Sequence, residues 1–360
     1  MSHIWQSSHW PRFHYDPRAT EVALAEVQER LGEIRGIQAG LSPQDQEYLH
    51  YSRIVEEAVA SFEIEGVQLD PSQIEASVIA SLRHRAQVQP ARRADAIAAL
   101  MTSARDISGP VDEALLMSWH RLLFFGIEIE DPGRWRSFEI EIVKSAAPGR
   151  SDMLYRAPPP SQVATDMADF LSWFNGPVTM PVPIFAALAH LWFESIHPFS
   201  DGNGRIGRAL IDVVFARHRG LPFALSRQIE REKKEYYAAL QAGRQSGQAA
   251  IDATPFVIWF LNCLNRAAKS SHDDVRFFLR RNAFFARHGA HLTSRANEAF
   301  RKIFALGPLR LSEGISARGW RKLTGASSAT ATRDLAALEL AGVLRRTDAG
   351  GRSTSYEILW

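Results

Sequence analysis

Hydrophobic residues recur at three- and four-residue spacing through most of the first 270 positions, which predicts a largely helical body. Four such segments lie within the first 110 residues, a fifth follows near residue 115, and five more lie between about 160 and 268. Residues typical of helix starts and ends punctuate this pattern: Ser42, Asp70 and Pro71 as starts, Gly40 and Gly66 as ends. The fold class is therefore predicted to be mainly α.

One segment of this body has the period of a strand. Phe138, Ile140 and Ile142 alternate with Glu139 and Glu141, as expected of a half-exposed strand. The Pro-Gly pair at positions 148–149 allows a turn, and the following MLYRA can return as a second short strand. The pattern predicts one β-hairpin, the only hairpin candidate in the helical body.

The pattern changes from about residue 292. Helix, helix, turn, helix and a Gly-tipped hairpin follow one another, which is the order of a winged helix-turn-helix. The turn is predicted at 324–328, the recognition helix at 328–340 and the wing at 345–359. A linker is predicted near 269–274, which gives three regions: 1–110, 111–268 and 275–360.

Composition narrows the class of protein. The chain has 360 residues, 46% of them hydrophobic and 23% charged, so it can bury a sizeable core. A single cysteine, Cys263, excludes an internal disulfide and indicates a reducing compartment. The first residues lack a secretory pattern, and Asn, Gly and Pro interrupt the longest uncharged run, 170–193. We therefore expect a cytoplasmic protein without a membrane span.

Charge is distributed unevenly along the chain. The net charge is +2, but residues 275–360 hold 15 Lys or Arg and 6 Asp or Glu, a difference of +9, which leaves −7 for residues 1–274. A basic module suggests a nucleic-acid partner such as DNA. An exposed face used for dimerisation or for docking another protein explains the same charges, so both interpretations stay open.

The segment HPFSDGNGRIGR, at 197–208, contains the candidate chemistry. Gly202, Asn203 and Gly204 lie at the predicted start of a helix, where backbone N–H groups lack acceptors and can converge on an anion. Arg205 and Arg208, three residues apart, place two guanidinium groups on one side of that site. The segment predicts a phosphate-binding site.

Two further side chains complete this candidate site. Asp201 places one carboxylate beside the phosphates, the arrangement that suits Mg²⁺, which keeps water and phosphate oxygens as its other ligands. His197 is the obvious general base. The embedded Gly-x-Gly-x-x-Gly does not indicate a dinucleotide fold, because a helix precedes it and no acidic residue follows at the required distance.

The segment resembles the signature of Fic-domain proteins, His-x-Phe-x-(Asp/Glu)-Gly-Asn-Gly-Arg-x-x-Arg, at every fixed position. The core resemblance covers about residues 115–261. The N-terminal helices look like the segment that precedes many bacterial Fic domains, and the basic tail looks like the winged helix that often follows. The implied architecture is a helical Fic core with a β-hairpin flap, an N-terminal helical domain and a C-terminal winged helix-turn-helix.

The resemblance implies protein adenylylation, in which AMP moves from ATP to a Ser, Thr or Tyr hydroxyl of a target protein or of the chain itself. It assigns deprotonation of that hydroxyl to His197, and to Asp201 a Mg²⁺ that bridges the α- and β-phosphates. Residues 202–204 would cradle the phosphates, with Asn203 assisting, and Arg205 and Arg208 would bind the β- and γ-phosphates. The positions carried over for nucleotide binding in this segment are Asp201, Gly202, Asn203, Gly204, Arg205, Ile206, Gly207 and Arg208.

Two other family sites are implied. The hairpin strand Met153, Leu154, Tyr155 and Arg156 matches the flap, which covers the nucleotide and holds the target segment as an added strand. The helix around Tyr236 resembles the one that lines the adenine pocket. Some relatives have an asparagine where this chain has Arg244, so recognition of the base is the point at which the chain departs from the family.

The family's inhibitory pattern, (Ser/Thr)-x-x-x-Glu-(Gly/Asn), is matched by Ser61, Glu65 and Gly66. It precedes the catalytic segment, as in the class with an N-terminal inhibitory helix. The resemblance implies that Glu65 pairs with Arg208 and occupies the place of the γ-phosphate. For an arbitrary Ser and Glu pair, a solvated helix end would be the ordinary interpretation.

Several alternatives remain open at the level of sequence. A Fic enzyme of another kind would remove AMP or transfer a different phosphate-containing group. A DNA-binding regulator would use the Fic core only to sense nucleotide, although such a sensor would not need His197. Dimerisation is common in the family, but no residue pattern fixes an interface, and the target protein cannot be read from the chain.

Overall fold

The computed structural model describes residues 3–84, 90–107, 109–143, 153–246, 250–305, 314–347 and 354–359. Two compact units divide the chain, residues 1–271 and residues 272–360. The predicted turn of the hairpin at 148–149 and the predicted tip of the wing lie outside the described residues.

Helices make up most of the first unit, so the prediction of a mainly α fold is confirmed. In chain order they are α1 (Pro17–Ala39), α2 (Pro43–Ile64), α3 (Pro71–His84), α4 (Arg93–Asp106), α5 (Glu113–Leu123), α6 (Pro160–Phe174), α7 (Val182–Ile196), α8 (Asn203–Ala216), α9 (Ser226–Arg231), α10 (Lys233–Ala242) and α11 (Thr254–His288). A short 3-10 helix, Ile4–Gln6, precedes them.

The ends of α2 follow the predicted signals. Ser42 accepts a hydrogen bond from the backbone N–H of Asp45, which satisfies one of the donors that a helix start leaves without partners. At the other end Gly66 has a φ of +77°, a conformation that glycine adopts without strain. The N–H of Gly66 bonds to Glu63, and that of Val67 to Phe62, so Glu65 is held at the last turn.

The predicted hairpin is present as β2 (Glu141–Val143) and β3 (Met153–Arg156), paired antiparallel. The sequence predicts no other hairpin in the helical body, but the structure contains a second one. A second small sheet joins β1 (Phe13–His14) in parallel to β5 (Ile251–Asp252), and β4 (Gln245–Ser246) to β5 in antiparallel. Strands of two residues are too short to produce an alternating pattern, which explains why the sequence did not reveal them.

Helix α7 lies at the centre of the first unit. Every residue from 183 to 196 is buried, as expected of a helix that is apolar around most of its circumference. It packs against α8, and Gly207 permits the close approach, because a Cβ there would lie 3.0 Å from His190 and 3.1 Å from Glu194. Within the described ranges, no helix combines the length and apolar character needed to cross a bilayer.

The predicted linker at 269–274 coincides with the boundary between the two units, which falls after Ser271, but its conformation is helical. Helix α11 runs through it, because the stretch, although polar, contains neither glycine nor proline to stop a helix. The boundary between the two units falls inside this helix.

The second unit has its own core, built around Phe284, Phe300, Phe304, Trp320 and Leu335. Its elements after α11 are α12 (Ser294–Ala305), β6 (Ile315–Ser316), α13 (Ala317–Thr324), α14 (Ser328–Leu340), β7 (Leu344–Arg346) and β8 (Ser355–Ile358). The three strands form an antiparallel sheet in the order β6-β8-β7. The winged helix-turn-helix interpretation of this unit stays a prediction.

Candidate active site

The loop between α7 and α8 has two residues in left-handed backbone conformations. His197 ends α7 with a φ of 51° and a ψ of 60°, and its N–H still bonds to Phe193. Gly202 starts α8 with a φ of +80°, and a Cβ there would lie 2.4 Å from Leu123 and 2.9 Å from Phe124. Only glycine fits this position, so the glycine of the motif is explained by packing as well as by backbone conformation.

Asn203 fixes this loop from inside. Its buried amide accepts a hydrogen bond from the N–H of Phe199 (2.9 Å) and donates one to the carbonyl of Phe199 (2.8 Å). Both ends of the side chain are therefore engaged with the loop backbone. The structure thus gives Asn203 a role in holding the loop, and its assistance at the phosphates stays a prediction.

The start of α8 lies directly beneath the carboxylate of Glu65. A Cβ on Gly204 would lie 2.5 Å from Glu65 Oε1, so this glycine is what lets the carboxylate reach the backbone. The first N–H groups of a helix have no acceptor within the helix, and the helix dipole makes that end positive. Glu65 therefore occupies the position where an anion is favoured.

Arg208 joins α8 to the last turns of α2. Its Nε donates to Ser61 Oγ (2.9 Å), and its Nη2 donates to the Ser61 carbonyl (2.7 Å) and to Glu65 Oε1 (2.8 Å). Burial disfavours the charged guanidinium, but Glu65, Tyr236 and Glu194 together outweigh it and hold the pKa of Arg208 above its ordinary value. The expected pair of Glu65 and Arg208 is present, through one carboxylate oxygen, with Ser61 supplying the other acceptors.

Arg205 is stacked between two aromatic rings. Its guanidinium carbon lies 5.3 Å from the ring centre of Phe62 and 5.0 Å from that of Phe124, and Nη2 donates to Asp201 Oδ1 (3.0 Å). Burial lowers the pKa of Arg205, while Asp201 opposes the shift. Within the described residues, Arg205 Nε and Arg208 Nη1 are buried without hydrogen-bond partners, so both are donors that a phosphate would satisfy.

Asp201 suits a cation that arrives with a nucleotide. Its side chain is 62% exposed, and Oδ1 accepts from the N–H of Gly202 (2.5 Å) as well as from Arg205. Among the described residues, no group of three or more His, Cys, Asp or Glu side chains could hold a metal ion. One exposed carboxylate fits Mg²⁺, whose remaining ligands are phosphate oxygens and water.

His197 has an acidic neighbour on the preceding turn that sequence reasoning missed. Its Nδ1 lies 3.6 Å from Glu194 Oε2, beyond hydrogen-bond distance but within ion-pair range. Burial alone would favour the neutral carboxyl, yet His197, His190 and Arg244 together lower the pKa of Glu194 to about 2. An ionised Glu194 orients the imidazole with Nδ1 towards it, which leaves Nε2 to accept a proton. The signal in the sequence is a Glu three residues before the His.

The flap is attached to the end of α7. Tyr155 of β3 donates its hydroxyl to the carbonyl of Ser195 (2.6 Å), and burial raises its pKa. Arg244 lies over the Tyr155 ring at 4.2 Å and donates to the Glu194 carbonyl (2.7 Å) and to Ser195 Oγ (3.1 Å). Arg244 is therefore a buried support behind His197 and not the wall of a base pocket.

The other flap residues are more accessible. Arg156 forms ion pairs of 3.0 Å with both Glu139 and Glu141, and its own carbonyl accepts from Trp5 Nε1 (2.9 Å). Leu154 is 38% exposed. For Met153, which pairs with Val143, the structure describes the backbone.

Tyr236, which the resemblance places at the adenine pocket, differs in burial from its neighbour Tyr237. Tyr236 is buried, with its hydroxyl 2.8 Å from His190 Nε2, so it belongs to the core. Tyr237 is 40% exposed, and burial followed by the charge of Glu65 raises its pKa to about 12. Both tyrosines feel the charges of Glu65 and Arg208, and Tyr237, which sequence reasoning missed, is the accessible one of the two. Ile206 is fully buried and makes no surface for a nucleotide.

Comparison with known proteins agrees with this geometry. Residues 110–215 match the family model described as Fic/DOC family, and residues 3–83 match a domain of unknown function, DUF4172. The similarity to the Fic/DOC family is thus confined to the central part of the chain, which contains His197 and the start of α8.

Curated relatives cover a part of the chain. A protein adenylyltransferase Fic from Culex quinquefasciatus is 28% identical over 153 residues, 42% of this chain and 27% of that protein. A probable protein adenylyltransferase from Aquifex aeolicus is 26% identical over 142 residues, 39% of this chain and 40% of that protein. The chain thus spans well under half the length of these relatives.

Solved structures extend the likeness of fold. A Fic family protein from Desulfovibrio desulfuricans superposes with a TM-score of 0.53 at 24% identity, over 97% of this chain and 98% of that one. A Fic domain containing signalling protein from Bacteroides thetaiotaomicron gives 0.51 at 20% identity, over 71% and 98%.

Proposed function

We propose that this chain is a protein adenylyltransferase that moves AMP from Mg·ATP to a Ser, Thr or Tyr hydroxyl of a target protein, and that Glu65 inhibits it. One observation carries the proposal: a carboxylate of the chain lies on the start of α8 and on Arg208, within the same loop and helix that present His197. A site that holds an internal anion in this way is built to hold a phosphate.

Each group of the site has a role in this transfer. The N–H groups at the start of α8 would hold phosphate oxygens, and Arg205 and Arg208 would neutralise the phosphates beyond the α-phosphate. Asp201 would hold Mg²⁺, which supplies charge neutralisation when bound. Positioning and electrostatics of this kind supply most of the catalysis in phosphoryl-type transfer.

The reacting bonds involve only the target, ATP and His197. The target hydroxyl oxygen forms a bond to the α-phosphorus while the bond from that phosphorus to the bridging oxygen of pyrophosphate breaks. The hydroxyl proton moves to Nε2 of His197, and pyrophosphate leaves. Glu194, close to Nδ1, stabilises the imidazolium that results.

Inhibition follows from competition for the same donors. While Glu65 accepts from Arg208 and covers Gly204, a terminal phosphate cannot take that place. Nucleotide would then bind with its phosphates displaced, and a displacement of about 1 Å is enough to cost roughly 10²-fold in rate.

The flap gives the target a place to bind. Arg156 lies opposite Glu141, and the N–H of Ala157 bonds to the carbonyl of Ile140, so the backbone groups of Arg156 point away from β2. That edge of the hairpin offers hydrogen bonds to an extended segment. Trp5 occupies the Arg156 carbonyl and so limits the edge on one side.

A second function, binding of DNA, is favoured by the surface of the unit formed by residues 272–360. Over its first turns the exposed face of α14 carries small and polar residues with one arginine, Ser328, Ala329, Thr332, Arg333 and Ala336, and the helix ends with the exposed Glu339 and Leu340. Small side chains let a helix approach base edges closely. Asp334 of the same helix accepts two hydrogen bonds from the Arg295 guanidinium, from Nε (2.9 Å) and from Nη2 (2.7 Å). The positive charge of Arg295 therefore neutralises the Asp334 carboxylate. Cytoplasmic location and a homodimer stay predictions.

The experiment compares two labels. The full chain and its Glu65→Gly variant are incubated with Mg²⁺ and lysate proteins, with ATP labelled with ³²P at the α or at the γ position. Protein labelled from the α position alone supports adenylylation, and His197→Ala is the control. Label from the γ position would show transfer of another group, and loss of label from proteins already modified would show removal of AMP. If the chain neither transfers nor removes a group, nucleotide sensing would remain as its function.

A further inference from the structure

A buried arginine connects the flap with the residue that we propose as the base. Arg136 is 2% exposed, and its backbone N–H donates to the carbonyl of Pro198 (2.9 Å). Its guanidinium donates to four backbone carbonyls: Nε to His197 (2.8 Å), Nη1 to Phe138 (2.9 Å), and Nη2 to Pro158 (2.6 Å) and Ile196 (3.4 Å). Two of these carbonyls belong to the end of α7, and two flank the hairpin.

The charge of Arg136 is balanced chiefly by dipoles. Burial lowers its pKa, and Tyr155 and Glu139 oppose this shift. The carbonyls of Ile196 and His197 lie at the C-terminal end of α7, which is the negative end of the helix dipole. A guanidinium can serve several carbonyls at once because its five N–H groups point in fixed, different directions, whereas an ammonium lacks this geometry.

His197 requires such support because of its backbone. A φ of 51° and a ψ of 60° lie in the left-handed region, which is disfavoured for any residue with a Cβ. The N–H of His197 donates to the carbonyl of Phe193, and Arg136 donates to the carbonyl of His197. Hydrogen bonds therefore hold His197 on both sides. The direction in which the imidazole leaves the backbone depends on these two hydrogen bonds.

We propose that Arg136 is a positioning residue that sets the distance between His197 and a target segment lying on the flap. The same guanidinium holds the backbone of the base and both ends of the hairpin. One side chain therefore fixes the position of the base relative to the hydroxyl of a docked target. Arg136 itself does not touch substrate. The proposal rests on the proposed function, because it requires His197 to accept the proton.

The kinetic test uses Arg136→Lys in the Glu65→Gly chain, with labelling from α-³²P-ATP. Lysine keeps the charge but cannot reach the flap and α7 together, so we expect kcat to fall roughly 10²-fold, the cost of about 1 Å of misplacement. KM for ATP should change less than about threefold, since the phosphate site is untouched. Unchanged kcat would overturn the proposal.

The matched control is Arg217→Lys. Arg217 also donates to backbone carbonyls, those of Gly109 (2.8 Å) and Phe174 (3.3 Å), but among the described residues none of its hydrogen bonds reaches His197 or the hairpin strands. If Arg136 were only structural, both variants would lower the melting temperature and kcat together. Each variant is assayed at the same number of degrees below its own melting temperature. Under these conditions we expect kcat to fall only for Arg136→Lys. Should Arg136→Lys not fold, Arg136→Gln, which keeps two donors, takes its place.

A second readout separates this proposal from the proposed function. The side-chain ¹⁵N resonances of His197, assigned by their loss in His197→Ala, report the environment of the imidazole without any transfer. We expect them to shift in Arg136→Lys and to stay constant in Arg217→Lys. If the parent chain transfers nothing, the proposed function fails, and these resonances alone decide on Arg136: unshifted signals would overturn its role.

Discussion

Replacing Glu65 with glycine removes the anion that the chain places on its own phosphate site. Arg208 still donates two hydrogen bonds to Ser61, so the buried guanidinium is not left without acceptors. The start of α8 and one donor of Arg208 become accessible to a terminal phosphate. We expect tighter productive binding of ATP and faster transfer to the target and to the chain itself.

The expected size of the rate increase in Glu65→Gly follows from the exposure of the ion pair between Glu65 and Arg208. Arg208 is 1% exposed and Glu65 is 28% exposed, so the contact is neither a surface pair nor a fully buried one. A hydrogen bond between charged groups contributes about 1.5–3 kcal/mol, and each 1.4 kcal/mol corresponds to a factor of ten. The transfer rate should therefore rise roughly 10- to 100-fold in Glu65→Gly. Charge reversal at Arg208 should not reproduce this gain, because the γ-phosphate needs that cation.

The assay is the initial rate of ³²P incorporation from α-labelled ATP at saturating Mg·ATP, with one protein acceptor for all variants. Glu63→Gly is the control, since Glu63 is an exposed acid two residues away and glycine near a helix end costs a similar amount of stability. Glu65→Gln, which keeps an acceptor without the charge, should lie between wild type and Glu65→Gly. Equal rates for wild type and Glu65→Gly would refute the inhibition and return Glu65 to the role of a solvated helix end.

Four further outcomes are expected. His197→Ala should lower transfer at least about 10²-fold while calorimetry still detects ATP binding, because the phosphate site remains; near-normal transfer would contradict the mechanism. Asp201→Asn should raise the Mg²⁺ concentration needed for half-maximal transfer by about tenfold or more, measured by Mg²⁺ titration. Tyr237→Ala should weaken ATP binding severalfold through loss of an exposed aromatic surface, and unchanged calorimetric affinity would remove Tyr237 from the nucleotide site. Binding of the full chain to duplex DNA should fall steeply with salt and weaken in Arg333→Ala, and no binding at low salt, measured by fluorescence anisotropy, would favour docking of a protein.

Much of the fold could be predicted from the sequence because helical periodicity depends on residues close together along the chain. The start of α2 at Ser42 and its end at Gly66 depend on residues within one or two turns, and the structure confirms both. The small sheet of β1, β4 and β5 was missed because its strands are two residues long and because β1 pairs with β5 across more than 200 positions. The predicted linker marks the boundary between the two units, but its helical conformation was not predicted, because a polar stretch without a breaker continues a helix that neighbouring residues have already formed.

The sequence by itself determined the site to the extent that its members are neighbours along the chain. His197, Asp201 and Arg208 fall within twelve residues, so one loop and one helix start bring them together whatever surrounds them. Glu65 was found through a pattern of six residues, although the contact that gives it meaning crosses 143 positions.

Tertiary structure alone decided which side chains face the site and which support it. Two adjacent tyrosines, Tyr236 and Tyr237, are equivalent in sequence, but helix α10 turns the first into the core and leaves the second exposed. Arg244 proved to be a support behind His197, and Arg136 reaches His197 across 61 positions. These assignments depend on how helices pack, because direction around a helix axis and distance between distant segments are set by packing and not by the order of residues.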